Sequence, residues 1–384
     1  MATQTPTTTR PANTPDAAGS GIRVRIAIGF TLIAIVASLV GLIASGGSYE
    51  PAPNGLPDSG PLVGWLLPVF GAIGFGAAMA CIGWLLLAGF LDPSAGKKVV
   101  SKRGRAAMLR ASGAAAIWCV ISLIASVFTL ANILGVDLAT AAAPGTFTTY
   151  AWDVSDVRTL LISALLAAAV AIGAVLSVSL TGTTIWLALA LVAVAAPSTA
   201  GHAVGLGDHG LALVNSVAHA VAATLWVGGL IALGATVWPK AQTVGVAAQR
   251  FGYLAIASVV ILTASGVVNA YVRLGAPADL FTSGYGRLVV AKTLLLIALI
   301  ATAAWIRRRL LPNLDGEQPR RTFAKVAALE LTLMSIATGL GVALSLTAPT
   351  RVAVQFATQA EALLGFEFPA APTVMSVVFG WDLD

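Results

Sequence analysis

An all-α, polytopic bundle of membrane helices is expected from three features of the chain. Of its 384 residues, 58% are hydrophobic and 10% charged, whereas a soluble domain carries about a quarter charged residues. Apolar runs of about 20 residues, long enough to cross a bilayer as helices, recur from one end to the other. The cations gather between those runs, as Lys97, Lys98, Lys102, Arg103, Arg105 and Arg110, and again as Arg307, Arg308 and Arg309. A net charge of +6 arranged in this way serves membrane orientation and not nucleic-acid binding. Water-soluble enzymes and nucleic-acid binders are excluded on composition.

Residues 1–22 are rich in Thr, Ala and Pro, lack apolar periodicity and read as a disordered leader. Arg23 and Arg25 precede an apolar run from Ile26 to Ser45. That run exceeds the roughly 7–15 residues of a signal-peptide core, so it is expected to stay as the first span. Further spans are expected near 62–90, 111–135, 158–179, 184–201, 211–237, 250–273, 286–308 and 323–347. The softest boundary is the Thr181-Gly182-Thr183-Thr184 turn. The total is about nine transmembrane helices.

Placing the N-terminus in the cytoplasm puts the basic loops at 92–110, 238–250 and 307–325 inside. Glu50, Asp58, Asp137, Asp153, Asp156, Asp208 and Asp279 then fall outside, with the C-terminus exterior. The chain divides into amino-terminal membrane helices (23–200), a second membrane region (201–350) and an exterior segment (351–384). In that last segment the run from Pro372 to Asp384 is too short to span. Cys81 and Cys119 both lie within apolar runs, which argues against a disulfide framework.

All three histidines, His202, His209 and His219, fall within one short window. His219 is expected about 12 Å below the outer surface, at 1.5 Å of helical rise per residue. Asp208, Asn215, His219 and Trp226 fall on one helical stripe, and a polar stripe in a membrane must face protein or water. Imidazole suits Cu, Zn, Ni and Fe, so His202, His209, His219 and Asp208 form a candidate exterior metal site. The alternative is that His219 bonds a neighbouring helix while the other two are ordinary loop residues.

Cu(I) favours thiolate and thioether, and the spans offer Met79, Cys81, Cys119 and Met334 as soft-ligand candidates. Each of these also reads as a residue filling the bundle core. Two charges lie inside spans, Lys292 and Glu330. Charge within a membrane usually faces the bundle interior. Lys292 reads as part of a permeation or proton pathway or, in preference, as a snorkelling side chain, whereas Glu330, followed at helical spacing by Met334 and Thr338, reads either as a permeation wall or as a structural bond. No Gly-rich phosphate loop with a Lys, no Cys-x-x-Cys and no His-Glu-x-x-His occurs, so neither an ATP-driven pump nor a zinc protease is expected.

Four stretches in order resemble the copper resistance protein D (CopD) family of bacterial inner-membrane proteins. They are His219-Ala-Val-Ala-Ala-Thr-Leu-Trp226-Val-Gly-Gly-Leu230; Arg250-Phe-Gly-Tyr-Leu-Ala with Thr263-Ala-Ser-Gly266-Val-Val-Asn269; Ser283-Gly-Tyr285-Gly286-Arg287 with Lys292; and Glu330 with Leu346-Thr-Ala-Pro349. The resemblance covers about 209–350 and implies copper handling, described for the family as uptake toward the cytoplasm. Leu363-Leu364-Gly365, Pro369 to Thr373 and Trp381-Asp382 resemble a junction at which CopD-like halves are followed by a CtaG-like cytochrome oxidase assembly half.

Together these readings describe a non-enzymatic copper-uptake protein of the bacterial plasma membrane. Copper enters at the exterior histidines and passes a pathway of Asn215, Asn269, Glu330 and Met334. Its partners are the copper ion, the lipid bilayer and either a periplasmic copper-binding protein or respiratory oxidase assembly factors. Two alternatives stay open: a haem-binding electron carrier, since histidines on bundle helices can ligate haem, and a non-transporting oxidase assembly scaffold.

Overall fold

The computed structural model describes residues 16–52, 57–92, 98–200, 209–237, 244–310 and 317–350. The chain runs α1 (Asp16–Ser45), α2 (Pro61–Leu86), α3 (Lys102–Leu134), α4 (Leu138–Ala142), α5 (Pro144–Tyr150), α6 (Ser155–Leu176), α7 (Leu180–Ala195), α8 (His209–Val237), α9 (Val244–Arg273), α10 (Asp279–Thr282), α11 (Gly284–Trp305) and α12 (Glu317–Leu346). Among the described residues nine helices are long and apolar enough to cross a bilayer, all except the short α4, α5 and α10. The fold is therefore an all-α membrane bundle, as its composition requires.

Local chemistry sets where the helices begin and end. The hydroxyls of Ser101, Ser179 and Ser283 accept from the backbone N–H groups of Gly104, Gly182 and Gly286 at 2.9, 3.0 and 2.9 Å, capping α3, α7 and α11. Pro61 opens α2, where its missing N–H leaves no helical bond unmade. Gly135, at φ 62°, ends α3 in the left-handed conformation that glycine adopts without strain.

One boundary differs from the sequence expectation. The break between the fourth and fifth spans lies at Ser177–Ser179, and Thr181–Thr184 is already inside α7. The serines make the turn: Ser179 caps α7, and Ser177 accepts from the Trp186 indole N–H at 2.7 Å.

The helix ends sort into a basic end and an acidic end. At the basic end Arg105 donates to the carbonyls of Ala174, Ser177 and Val175 at 3.3, 2.8 and 2.6 Å, closing the C-terminus of α6. Arg250 reaches the Phe90 carbonyl at 2.8 Å, in the π-helical turn that extends α2. These carbonyls have no partner within their own helices, and the negative end of the helix dipole favours a cation beside them. The basic residues thus cap helices as well as marking one side of the membrane.

Within the bundle α2 is central. It packs against α1, α3, α7, α8 and α12, while α6 lies on α3, α9 on α8, and α11 and α1 on α12. Alanine lets these helices come close, with Ala107, Ala111 and Ala115 of α3 and Ala167 and Ala174 of α6 fully buried. Gly228 and Gly229 serve two neighbours at once. A Cβ on Gly228 would come 2.7 Å from the Met79 carbonyl of α2, and one on Gly229 would come 2.6 Å from the Phe251 ring of α9.

α1 touches α2 but lies chiefly along α12. Ser45 and Thr347 hydroxyls meet at 2.9 Å, and Arg287 of α11 donates to the Ala44 carbonyl at 3.1 Å. Large apolar side chains such as Leu32, Leu165, Ile172 and Leu294 remain exposed on the outside of the bundle, as a lipid-facing surface demands.

Candidate functional site

The α8–α9 contact holds the polar interior of the acidic half. His219 lies ten residues into α8, about 15 Å along its axis at 1.5 Å per residue. Its Nδ1 is 2.9 Å from the Ser265 hydroxyl of α9. Ser265 has one proton and gives it to the Leu262 carbonyl at 3.3 Å. With its proton there, the hydroxyl accepts from Nδ1–H, the tautomer that leaves the lone pair of the imidazole on Nε2. A neutral imidazole held through its other nitrogen is how proteins orient a histidine for a metal.

One turn before His219, Ser216 donates to Asn269 Oδ1 at 3.5 Å and accepts from Arg273 at 3.2 Å. Arg273 also hydrogen-bonds Tyr285 at the start of α11. Lys292 completes the chamber from α11, its Nζ lying over Gly341 of α12, where an added Cβ would sit 3.2 Å away. The charges of Lys292 and Arg273 both act on His219. Asp279, the acid nearest in sequence to Arg273, is occupied elsewhere. It accepts from Thr350 and from the N–H groups of Ala276 and Gly275 at 3.0 and 3.1 Å; these bonds, Thr350 first, hold its carboxyl below the ordinary value of 3.8.

Among the described residues, the charged groups acting on His219 are therefore the cations Lys292 and Arg273. At an effective dielectric of about 20, a unit cation about 8 Å from each fixed cation is repelled by roughly 2 kcal/mol per charge.

Below this chamber a second set of groups follows α12 toward the basic end. Thr338, Met334 and Glu330 lie about 12, 18 and 24 Å from Leu346 along the axis. Thr338 donates to the Met334 carbonyl at 2.8 Å and points its hydroxyl at the Met79 sulfur of α2, 4.0 Å away. Met79 and Met334 are both buried, Met79 with its sulfur facing Thr338 from α2 and Met334 one turn from Thr338 on α12. Glu330 is 6% exposed, and among the described residues its carboxylate has no hydrogen-bond or ion-pair partner.

The remaining expected site residues are placed apart from these two sets. Asn215 turns its amide onto the Leu211 carbonyl of its own helix at 2.7 Å. Cys81 is buried and Cys119 half-buried, both as free thiols in the packed core. His209 is the first residue of α8, about 15 Å of helical rise from His219. His202, Asp208 and the His209 side chain lie outside the described residues, as does 351–384 with its junction-like motifs. Among the described residues, no three His, Cys, Asp or Glu side chains come together as a metal-binding group.

Ser216, Ser265 and Arg273 join the site without having been expected there. A signal for them exists in the sequence nonetheless: Ser265, Asn269 and Arg273 recur every fourth residue, one face of a helix.

These features define a polytopic membrane protein with buried polar groups inside its helix bundle. Residues 245–344, which take in nearly all of α9, α11 and most of α12, match the family model for copper resistance protein D, so this region is similar to that family. Asn269, Lys292, Glu330 and Met334 fall inside the matched stretch, while His219 and Gly228 precede it. No curated protein and no solved structure matches the chain.

Proposed function

We propose that this copper-resistance membrane protein carries copper across the bilayer from its acidic end to its basic end, the acidic end facing the exterior. The observation that supports this reading best is the His219–Ser265 bond, which holds an imidazole deep in the bundle with Nε2 open. His202, His209 and Asp208 supply the outer part of the route. The helical rise between His209 and His219 makes them successive stations and not one chelate. Copper then passes to the Met79 and Met334 thioethers, which suit Cu(I), and leaves beside the Glu330 carboxylate. Asn269 positions Ser216 and lines the upper part of the route.

The chain's own residues bind and orient the ion and carry no covalent chemistry. The basic end lies in the cytoplasm, in keeping with retention of Lys and Arg on that side, in a bacterial plasma membrane. A periplasmic copper-binding protein is the natural donor at the acidic end.

Copper accumulation in cells expressing the wild-type chain, Met334→Leu or no chain tests the proposal. Accumulation is expected to rise with the wild type and to fall at least threefold in the variant. Equal copper content with and without the chain would leave a scaffold role in its place.

A further inference from the structure

The chamber around His219 has more hydrogen-bond donors than acceptors. Lys292 has three N–H groups and, among the described residues, no hydrogen-bond or ion-pair partner. Arg273 uses part of its fork on Ser216 and Tyr285. Tyr285 accepts that bond, so its own proton is left to donate, and the Asn269 amide N–H groups are left while its oxygen serves Ser216. Against these donors, among the described residues, stands Nε2 of His219 as an open acceptor. Gly341 leaves space beside the Lys292 ammonium where any side chain would crowd it. Two cations and surplus donors in a low-dielectric interior are the requirements of an anion, and they oppose a bare metal cation.

We propose that the chamber is an anion site, and that copper enters it as an anionic Cu(I) halide complex instead of a hydrated ion. The copper half of this proposal rests on the transport reading above; the anion half does not. Two chlorides on Cu(I) make a monoanion whose halides match Lys292 and Arg273, while the metal faces His219. Nε2 donates its lone pair to copper as one Cu–Cl bond breaks. The departing chloride takes both electrons of that bond and stays beside Lys292. Copper remains Cu(I), so no oxidant or reductant is needed.

Two measurements on the purified full chain test this. In detergent, thermal melting is compared in sodium chloride and sodium methanesulfonate at equal ionic strength. Chloride is expected to raise the midpoint by several degrees in wild type and Lys292→Arg, and to have no effect in Lys292→Met. Because it removes an interior charge that has no partner among the described residues, Lys292→Met is expected to melt at or above the wild type in methanesulfonate, which separates loss of the site from misfolding. Equal midpoints in both salts for the wild type would overturn the anion site.

In proteoliposomes with Cu(I) maintained by ascorbate, uptake is expected to drop at least fivefold when methanesulfonate replaces chloride. Equal uptake in the two salts would overturn entry as a halide complex. Uptake in neither salt would overturn the transport reading itself, leaving the anion site to stand or fall on the melting curves.

Discussion

Nδ1 of His219 and the hydroxyl of Ser265 lie 2.9 Å apart across the α8–α9 contact, and this bond fixes which imidazole nitrogen faces the chamber. Removing the partner should cost affinity without removing the ligand. Groups that orient a metal-binding histidine are typically worth about 10–100-fold in affinity. Ser265→Ala is therefore expected to weaken copper binding by about that factor, and Ser265→Thr to restore most of it. Competition titration against a Cu(I) chelator reads both, and full affinity in Ser265→Ala would show that the hydroxyl serves packing alone.

Glu330→Gln separates binding from movement. The carboxylate stands about 24 Å from Leu346 along α12, well beyond His219, so the amide variant is expected to bind copper at the acidic end and to transport none. Proteoliposome uptake alongside equilibrium binding checks this. Loss of both together would indicate a misfolded protein.

Packing at the α2–α8 crossing gives a stability prediction independent of copper. Gly228→Val places side-chain atoms where the Met79 carbonyl already stands, and overpacking of this kind costs about 1–3 kcal/mol. The midpoint of thermal unfolding in detergent should fall by several degrees, whereas Gly234→Ala, at a position with open space around it, should leave it unchanged. The opposite order would contradict the crossing.

Asp279 sets a pH dependence at the acidic end. Thr350 and the backbone N–H groups of the 275–279 turn favour its ionised form, so its folded-state pKa lies below the ordinary 3.8. The unfolded chain binds that proton more readily. The stabilisation is therefore complete above about 3.8 and is lost as pH falls through the lower folded value. Wild type should melt above Asp279→Asn at pH 7, and the gap should close at the acid limit. A gap that persists there would assign the effect to shape instead of charge.

Much of this fold is legible in the order of apolar and polar residues. Each span needs about 20 apolar residues, and that requirement marks α2, α3, α6, α8, α9, α11 and α12 to within a turn or so at most of their ends. Helix pairing is not legible, because apolar faces carry no address in a solvent as apolar as themselves. Nothing in Ile26 to Ser45 announces that α1 lies along α12. The Ser177–Ser179 turn is masked because Gly182, a few positions later, is the stronger turn signal.

At the site, His219, Asn269, Lys292 and Glu330 stand out as polar residues in apolar runs. Their partners do not. Ser216 and Ser265 are small hydroxyls of a kind that often bonds its own helix, and their reach to a neighbour is a property of the packed pair.

The most direct measurement is copper bound per mole of purified protein, taken with its visible spectrum, for wild type, His219→Ala and the surface control Thr149→Ala, whose hydroxyl bonds the Gly145 carbonyl on an exposed helix. Wild type and the control are expected to bind copper with the same affinity and no Soret band, and His219→Ala to bind it at least tenfold more weakly. Equal affinity in all three, or a Soret band lost with His219, would contradict copper capture at this imidazole.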